Sequence, residues 1–179
     1  MDKHKPASAR VAKRGPVIVR RATLADVEGM HALINRFAGE GLMLAKSRSN
    51  LYQNIRDFYV AEIIQNGQTV LAGCAALHVL WVDLGEIRSM AVDEACQGIG
   101  VGRSLAVALL KEAEQLRLPR VFALTYVKPF FECMGFVEEP KSSMPQKVWG
   151  ECYDCPKFPD CDEVAVVKDA PFLEEGSRE

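Results

Sequence analysis

The chain has 179 residues, 49% of them hydrophobic, with 22 Lys and Arg against 24 Asp and Glu for a formal net charge of −2. That length suits one domain with a substantial core, and that charge balance gives no general attraction for nucleic acid or an anionic membrane, so neither is expected as a partner. No apolar run approaches the roughly 18 residues of a membrane span and no apolar secretory segment opens the chain, which makes the cytoplasm the expected compartment.

Residues 1–16 carry Lys3, Lys5, Arg10, Lys13 and Arg14 against Asp2 and read as a basic, flexible leader. The domain is expected over 17–170, with a flexible tail over 171–179. Val17–Ala22 (VIVRRA) reads as a first strand. Thr23 with Asp26 is close to a capping box, and Val27, Met30, Leu33, Ile34 and Phe37 follow at helical spacing to about Gly39. Gly39–Asn50 is expected as a loop carrying Lys46 and Arg48, with a short helix from Asn50. YVAEII and TVLAGCAALHVL read as a strand pair turning at Asn66-Gly67. Glu86–Val92 (EIRSMAV) is the next strand, and Leu105, Leu109, Leu110, Ala113 and Leu116 mark a long amphipathic helix. Arg120–Val127 then reads as a strand, Pro129–Met134 as a short helix ended by Gly135, and FVEE and Glu163–Val167 as late strands. Strand pairs alternating with helices predict a single mixed α/β sheet.

Between the fourth strand and the long helix, Gly98, Gly100 and Gly102 stand at every second position. A glycine turn from strand into helix lets backbone N–H groups converge on an anion at the positive end of the helix dipole. Gln97, Arg103 and Ser104 add side-chain donors there. The spacing is not that of a Walker A loop, whose lysine is replaced by Arg103, nor that of the Gly-x-Gly-x-x-Gly dinucleotide fingerprint.

The run Gln97-Gly98-Ile99-Gly100-Val101-Gly102 resembles the Gln/Arg-x-x-Gly-x-Gly/Ala loop of the GNAT acetyltransferases, and VFALTYVKPFFECMGF resembles that family's fifth strand and following helix. Leu42–Glu62 and Gly73–Glu94 are similar to the short, single-domain form of N-acetylglutamate synthase. The resemblance runs from Val17 to about Val167. It implies a GNAT fold, a twisted mixed sheet flanked by helices, with acetyl-CoA as cosubstrate. The cofactor's pyrophosphate would lie on Gln97–Ser104 and its pantetheine along Met90, Ala91 and Val92. It also implies acetyl transfer to the α-amine of an amino acid, L-glutamate foremost and glutamine next, as the first step of arginine biosynthesis. At 179 residues no room is expected for the arginine-binding kinase domain of full-length synthases. Two other readings stay open: acetylation of protein N-termini or lysines, and a non-catalytic acetyl-CoA-binding module. A homodimer is compatible with all three.

Strand alternation puts Glu86, Arg88 and Met90 on one face of the fourth strand and Ile87, Ser89 and Ala91 on the other. Glu86 is the candidate general base, acting through a water, and the resemblance sets the main-chain N–H near Met90 against the thioester oxygen. Where many relatives carry a tyrosine acid, this chain has Phe130-Phe131; Tyr126, five residues earlier than Phe131, is the candidate substitute. The departing thiolate also needs no acid near neutral pH, given an ordinary thiol pKa of ~8.5. Lys46, Arg48 and Arg88 are the candidate carboxylate binders.

Cys152, Cys155 and Cys161, within the segment 145–162, have Cys-x2-Cys-x5-Cys spacing. They read as free thiols, as three ligands of a structural zinc or iron–sulfur species, or as a disulfide, and not as catalytic groups.

Overall fold

The computed structural model describes residues 15–143, 157 and 160–172. Their strands are β1 (Ile18–Arg21), β2 (Phe58–Gln65), β3 (Gln68–Trp81), β4 (Leu84–Val92), β5 (Arg120–Thr125), β6 (Val137–Glu139) and β7 (Val164–Asp169). The helices are α1 (Val27–Gly39), α2 (Arg48–Gln53), α3 (Val101–Gln115) and α4 (Lys128–Glu132). One seven-stranded sheet results, ordered β1-β2-β3-β4-β5-β7-β6. Every neighbouring pair is antiparallel except β4 with β5.

Alternation along β3 shows how the two faces are covered. Ala75 and Leu77 join Leu105, Leu109, Leu110 and Ala113 of α3, while Cys74 and Ala76 join Val27, Met30, Leu33 and Ile34 of α1. Burying each large aliphatic side chain contributes roughly 1.5–3 kcal/mol, so the two apolar stripes fix the helices to opposite faces. The β2–β3 hairpin turns through Asn66 and Gly67 with φ of 52° and 78°, as an Asn-Gly type I′ turn requires.

The entry to α1 is held by Asp26, whose carboxylate accepts the Thr23 N–H at 2.7 Å and pairs with both Arg20 Nη atoms at 2.8 Å. Arg20 also reaches Glu62 on β2 at 2.5 Å. The guanidinium beside it holds the Asp26 carboxyl down at about 2.

Several boundaries differ from expectation. The second helix starts at Arg48 rather than Asn50, because the Ser47 hydroxyl caps it by accepting the Asn50 N–H at 3.1 Å. Arg48 therefore begins a helix instead of lying in a loop. β5 stops at Thr125, two residues early, where Thr125 Oγ1 accepts the Val127 N–H at 3.0 Å and turns the chain. Towards the two termini, the Gly15 N–H donates to Ile64 O at 3.3 Å, and Phe172 is buried in the α3-side core.

Candidate active site

The site is built on the one irregular strand of the sheet centre. Along β4, Ala91 pairs with Cys74 and Arg88 with Ala76, so the two residues Ser89 and Met90 face the single residue Ala75 on β3. This is a β-bulge, and Ser89 adopts a left-handed φ of 53° to make it. Up to Arg88 the alternation holds. Glu86 and Arg88 lie opposite His78 and Ala76, on the α1 face. Past the bulge it inverts: Met90 packs against the α3-side core and Ala91 against the α1-side core. Met90 thus does not share a face with Glu86 and Arg88, contrary to strict alternation.

The parallel seam with β5 has only two rungs, Gly85 with Val121 and Glu86 with Phe122. Beyond Glu86 the strands have no further paired residues and open into a wedge. One wall is the rest of β4 and the other is the end of β5.

The wedge leads to the turn into α3. Asp93 shapes that turn, its carboxylate accepting the Ala95 N–H at 2.9 Å and its carbonyl the Cys96 N–H at 2.7 Å. Gln97 Nε2 donates to Val92 O at 3.4 Å. Gly98 and Gly100 have φ of 75° and 91°, and a Cβ at either would meet nothing within 4 Å, so the loop offers bare backbone to open space. Gly102 has a different reason to be glycine: a Cβ there would stand 3.3 Å from the Phe130 ring, so it lets α3 and α4 close together. The first helical hydrogen bond runs from the Ser104 N–H to Gly100 O at 2.9 Å. The amides of Val101, Gly102 and Arg103 precede it and have no acceptor inside the helix. With the dipole of a 15-residue helix behind them, they form a cradle for an anion. Ile99 and Arg103 are exposed at its rim and Ser104 is half-buried.

Glu86 is half-buried on β4. Its register partner His78 donates through Nδ1 to Asp57 Oδ2 at 2.7 Å. Neither His78 nor Asp57 stands out in the sequence. The only local signal is that His78 interrupts the apolar run Val70–Trp81 of a long strand, and nothing in the chain points from it to Asp57. Lys46 is buried, its main chain clamped by Asn35, which accepts the Lys46 N–H at 3.2 Å and donates to its carbonyl at 2.9 Å. Arg88 is half-buried on β4. Arg48 instead makes a bidentate pair with Glu28 of α1, at 2.7 and 2.8 Å, on an exposed surface.

Tyr126 sits past the end of β5, where its hydroxyl donates to Asp162 Oδ1 at 2.8 Å and accepts from Lys157 Nζ at 2.5 Å. Lys157 also donates to Gly41 O at 3.1 Å and lies 4.6 Å from the Tyr126 ring centroid. Partial removal from water raises the Tyr126 pKa above that of a free phenol, so the hydroxyl keeps its proton at neutral pH. Phe130 and Phe131 pack edge to face at 5.1 Å and supply no acid.

Cys152 and Cys155 lie outside the described residues. Cys161 is a half-buried thiol 3.7 Å from Glu163 Oε2, and burial raises the Glu163 carboxyl above its ordinary value. Among the described residues no three ligating side chains converge on a metal position, and no helix is long and apolar enough to cross a membrane.

Known proteins resemble this chain in sequence and fold. Residues 28–136 match the Acetyltransferase (GNAT) family. The amino-acid acetyltransferase of Mycobacterium tuberculosis is 42% identical over 134 residues, 75% of this chain and 76% of that protein. A Mycobacterium tuberculosis structure in complex with CoA and NLQ superposes with a TM-score of 0.72 at 34% identity, over 85% of this chain and 98% of that one. The N-acetylglutamate synthase of Neisseria gonorrhoeae, complexed with CoA and N-acetyl-glutamate, gives a TM-score of 0.75 at 27% identity. It is matched over 87% of this chain but only 35% of its own. With its split parallel seam, its glycine cradle and these relatives, the chain belongs to the GNAT acetyltransferase family and is an acetyl-CoA-dependent acyltransferase.

Proposed function

We propose that the chain is an amino-acid N-acetyltransferase that moves the acetyl group of acetyl-CoA onto the α-amine of L-glutamate, in a ternary complex. The observation that carries this reading is the unpaired stretch between β4 and β5 past Glu86, followed along the chain by a glycine turn whose helix amides stand open ahead of Ser104. An extended, phosphate-ended thioester suits that wedge. Its pyrophosphate would rest on the backbone of Gln97, Gly98, Ile99, Gly100, Val101, Gly102 and Arg103, with Ser104 at the helix entry. Its pantetheine would run along Met90, Ala91 and Val92 as a stand-in for the missing strand. A bulge at Ser89 turns main-chain N–H groups off the ladder. A left-handed non-glycine residue costs of order 1–3 kcal/mol and persists where the surroundings enforce it. The strain is explained if an N–H near Met90 stabilises the charge that develops on the thioester oxygen.

Glu86 would take the proton of the substrate ammonium through a water, leaving the amine free to attack. The leaving thiolate would collect a proton from Tyr126, whose hydroxyl is protonated at neutral pH, or directly from water. For the acceptor, Lys46 and Arg88 would bind the carboxylates, with Arg48 joining them once released from Glu28. An acidic amino acid is favoured by these cations together with the relatives, one named amino-acid acetyltransferase and one complexed with N-acetyl-glutamate.

The test is acetyl-CoA turnover, followed by thiol release, across the twenty amino acids with a lysine-containing peptide alongside. Glutamate should be preferred, and Arg88→Ala should raise its KM at least tenfold. Preference for glutamine would keep the mechanism and change the pathway. Activity on the peptide alone would overturn the small-molecule reading, and acetyl-CoA binding without turnover on any acceptor would point to a sensing module.

A further inference from the structure

The geometry points to His78, oriented by Asp57, as the group that takes the proton from Glu86 and passes it to solvent. This deepens the reading of Glu86 as the base and rests on it. His78 and Glu86 are direct register partners on the antiparallel pair β3–β4. Opposed residues of such a pair lie on one face with their Cβ atoms about 4.5–5.5 Å apart. Nδ1 is already committed, because a carboxylate oxygen at 2.7 Å can only accept, so the Nδ1–H points at Asp57. The neutral ring is thereby locked in the tautomer whose Nε2 carries the free lone pair. Asp57, on the short turn that leads into β2, also compensates the positive charge once Nε2 is protonated.

The step balances without a co-reactant. An N–H bond of the substrate ammonium breaks and, through the water, an O–H bond forms on Glu86. That O–H then breaks as Nε2–H forms, giving carboxylate and imidazolium. The imidazolium returns its proton to bulk water, which reaches it because the His78 side chain is 30% exposed. Of the ionisable groups on the elements beside the ring, Asp57 bonds it, Glu86 and Arg88 share its face on β4, and Arg56 precedes Asp57 with an exposed side chain. Water around a half-open wedge would otherwise have to approach Glu86 past bound substrate, and a ring on the neighbouring strand bypasses it.

The experiment measures kcat and KM against pH for wild type, His78→Gln, Asp57→Asn and Glu86→Gln, with acetyl-CoA affinity confirming that each variant is folded. His78→Gln should lower kcat about tenfold with both KM values within twofold, and the shape of its kcat–pH profile should differ from that of wild type. Asp57→Asn should show a smaller fall, having lost the tautomer lock. Added imidazole should restore several-fold turnover to His78→Ala but not to Glu86→Gln. If His78→Gln superimposes on wild type while Glu86→Gln is inactive, the relay is wrong and the base stands. If Glu86→Gln keeps wild-type turnover, the base itself is wrong and the relay falls with it.

Discussion

The two ends of the wedge are made of different material. The end proposed for the cofactor, from Asp93 to Ser104, offers main chain: bare glycines and helix amides open to solvent. At the end proposed for the acceptor the groups are side chains, delivered by α2, the turn before β2, β3, β4 and the segment after β5. Several of these are already engaged with one another, as in Arg48–Glu28, His78–Asp57 and Tyr126–Asp162. A backbone cradle binds whatever carries a pyrophosphate and tolerates changes of side chain around it. A side-chain pocket has no such tolerance, so substrate identity should reside at that end.

This contrast is broken most directly by comparing the effects of mutations at the two ends. Glu86→Gln should lower kcat by about 10²–10⁴-fold with acetyl-CoA KM within twofold; an equal loss in cofactor affinity would mean that the ends are not separable. Gly100→Val places a branched residue at φ of 91° and fills the cradle. It should raise acetyl-CoA KM at least tenfold, leave amino-acid KM unchanged, and lower stability by about 1–3 kcal/mol. Gly102→Ala should act differently from Gly100→Val: crowding of the Phe130 ring and the gain in helix propensity oppose each other, so stability should change by less than about 1 kcal/mol, with a smaller effect on cofactor binding.

Those changes address the wedge; the next isolates what merely holds the frame. The Asp26 carboxyl is held at about 2, below its ordinary 3.8, so its contribution is complete above pH 4 and is lost as pH falls through 2. Asp26→Asn should therefore lower the urea midpoint by the equivalent of about 1–2 kcal/mol at pH 7, and the variant and wild-type curves should converge on acidification. The smallest effect is expected at Glu28→Gln. Breaking an exposed, solvent-screened ion pair should leave stability essentially unchanged. If Arg48 binds substrate, though, its release should lower the amino-acid KM two- to fivefold. An unchanged KM would remove Arg48 from the acceptor pocket.

The same contrast explains which parts of the molecule are legible in the amino-acid sequence alone. The cradle is legible because its physics is local: Gly98, Gly100 and the helix start lie within a few residues of one another and need no partner from elsewhere. The α1 and α3 stripes are legible for the same reason, and the Asn66-Gly67 turn likewise. The bulge at Ser89 is not, since a serine does not announce a left-handed conformation; the extra residue is visible only when β4 is laid against β3. Arg48 reads as a loop residue unless Ser47 is taken as the helix cap. The Asp57–His78–Glu86 grouping needs three elements brought together by register, and the Tyr126 cluster needs contacts over 30 residues along the chain.

The two-rung seam between β4 and β5 has one more consequence. Mechanically the sheet is two leaves, β1 to β4 and β5 to β7, stitched by Gly85 and Glu86 and backed by α3 on one side. An extended ligand lying in the gap supplies the rungs that the protein omits, so the leaves should behave as one stiff plate only when the gap is filled. Amide hydrogen exchange in β5 should then slow on cofactor binding, and so should exchange in β7, although β7 lies on the far side of β5 from the gap. At a ligand concentration of 100 Kd, mass action adds about 2.7 kcal/mol to the stability of the whole fold. The catalyst is thus also a fold whose cohesion should rise with the supply of its own cosubstrate.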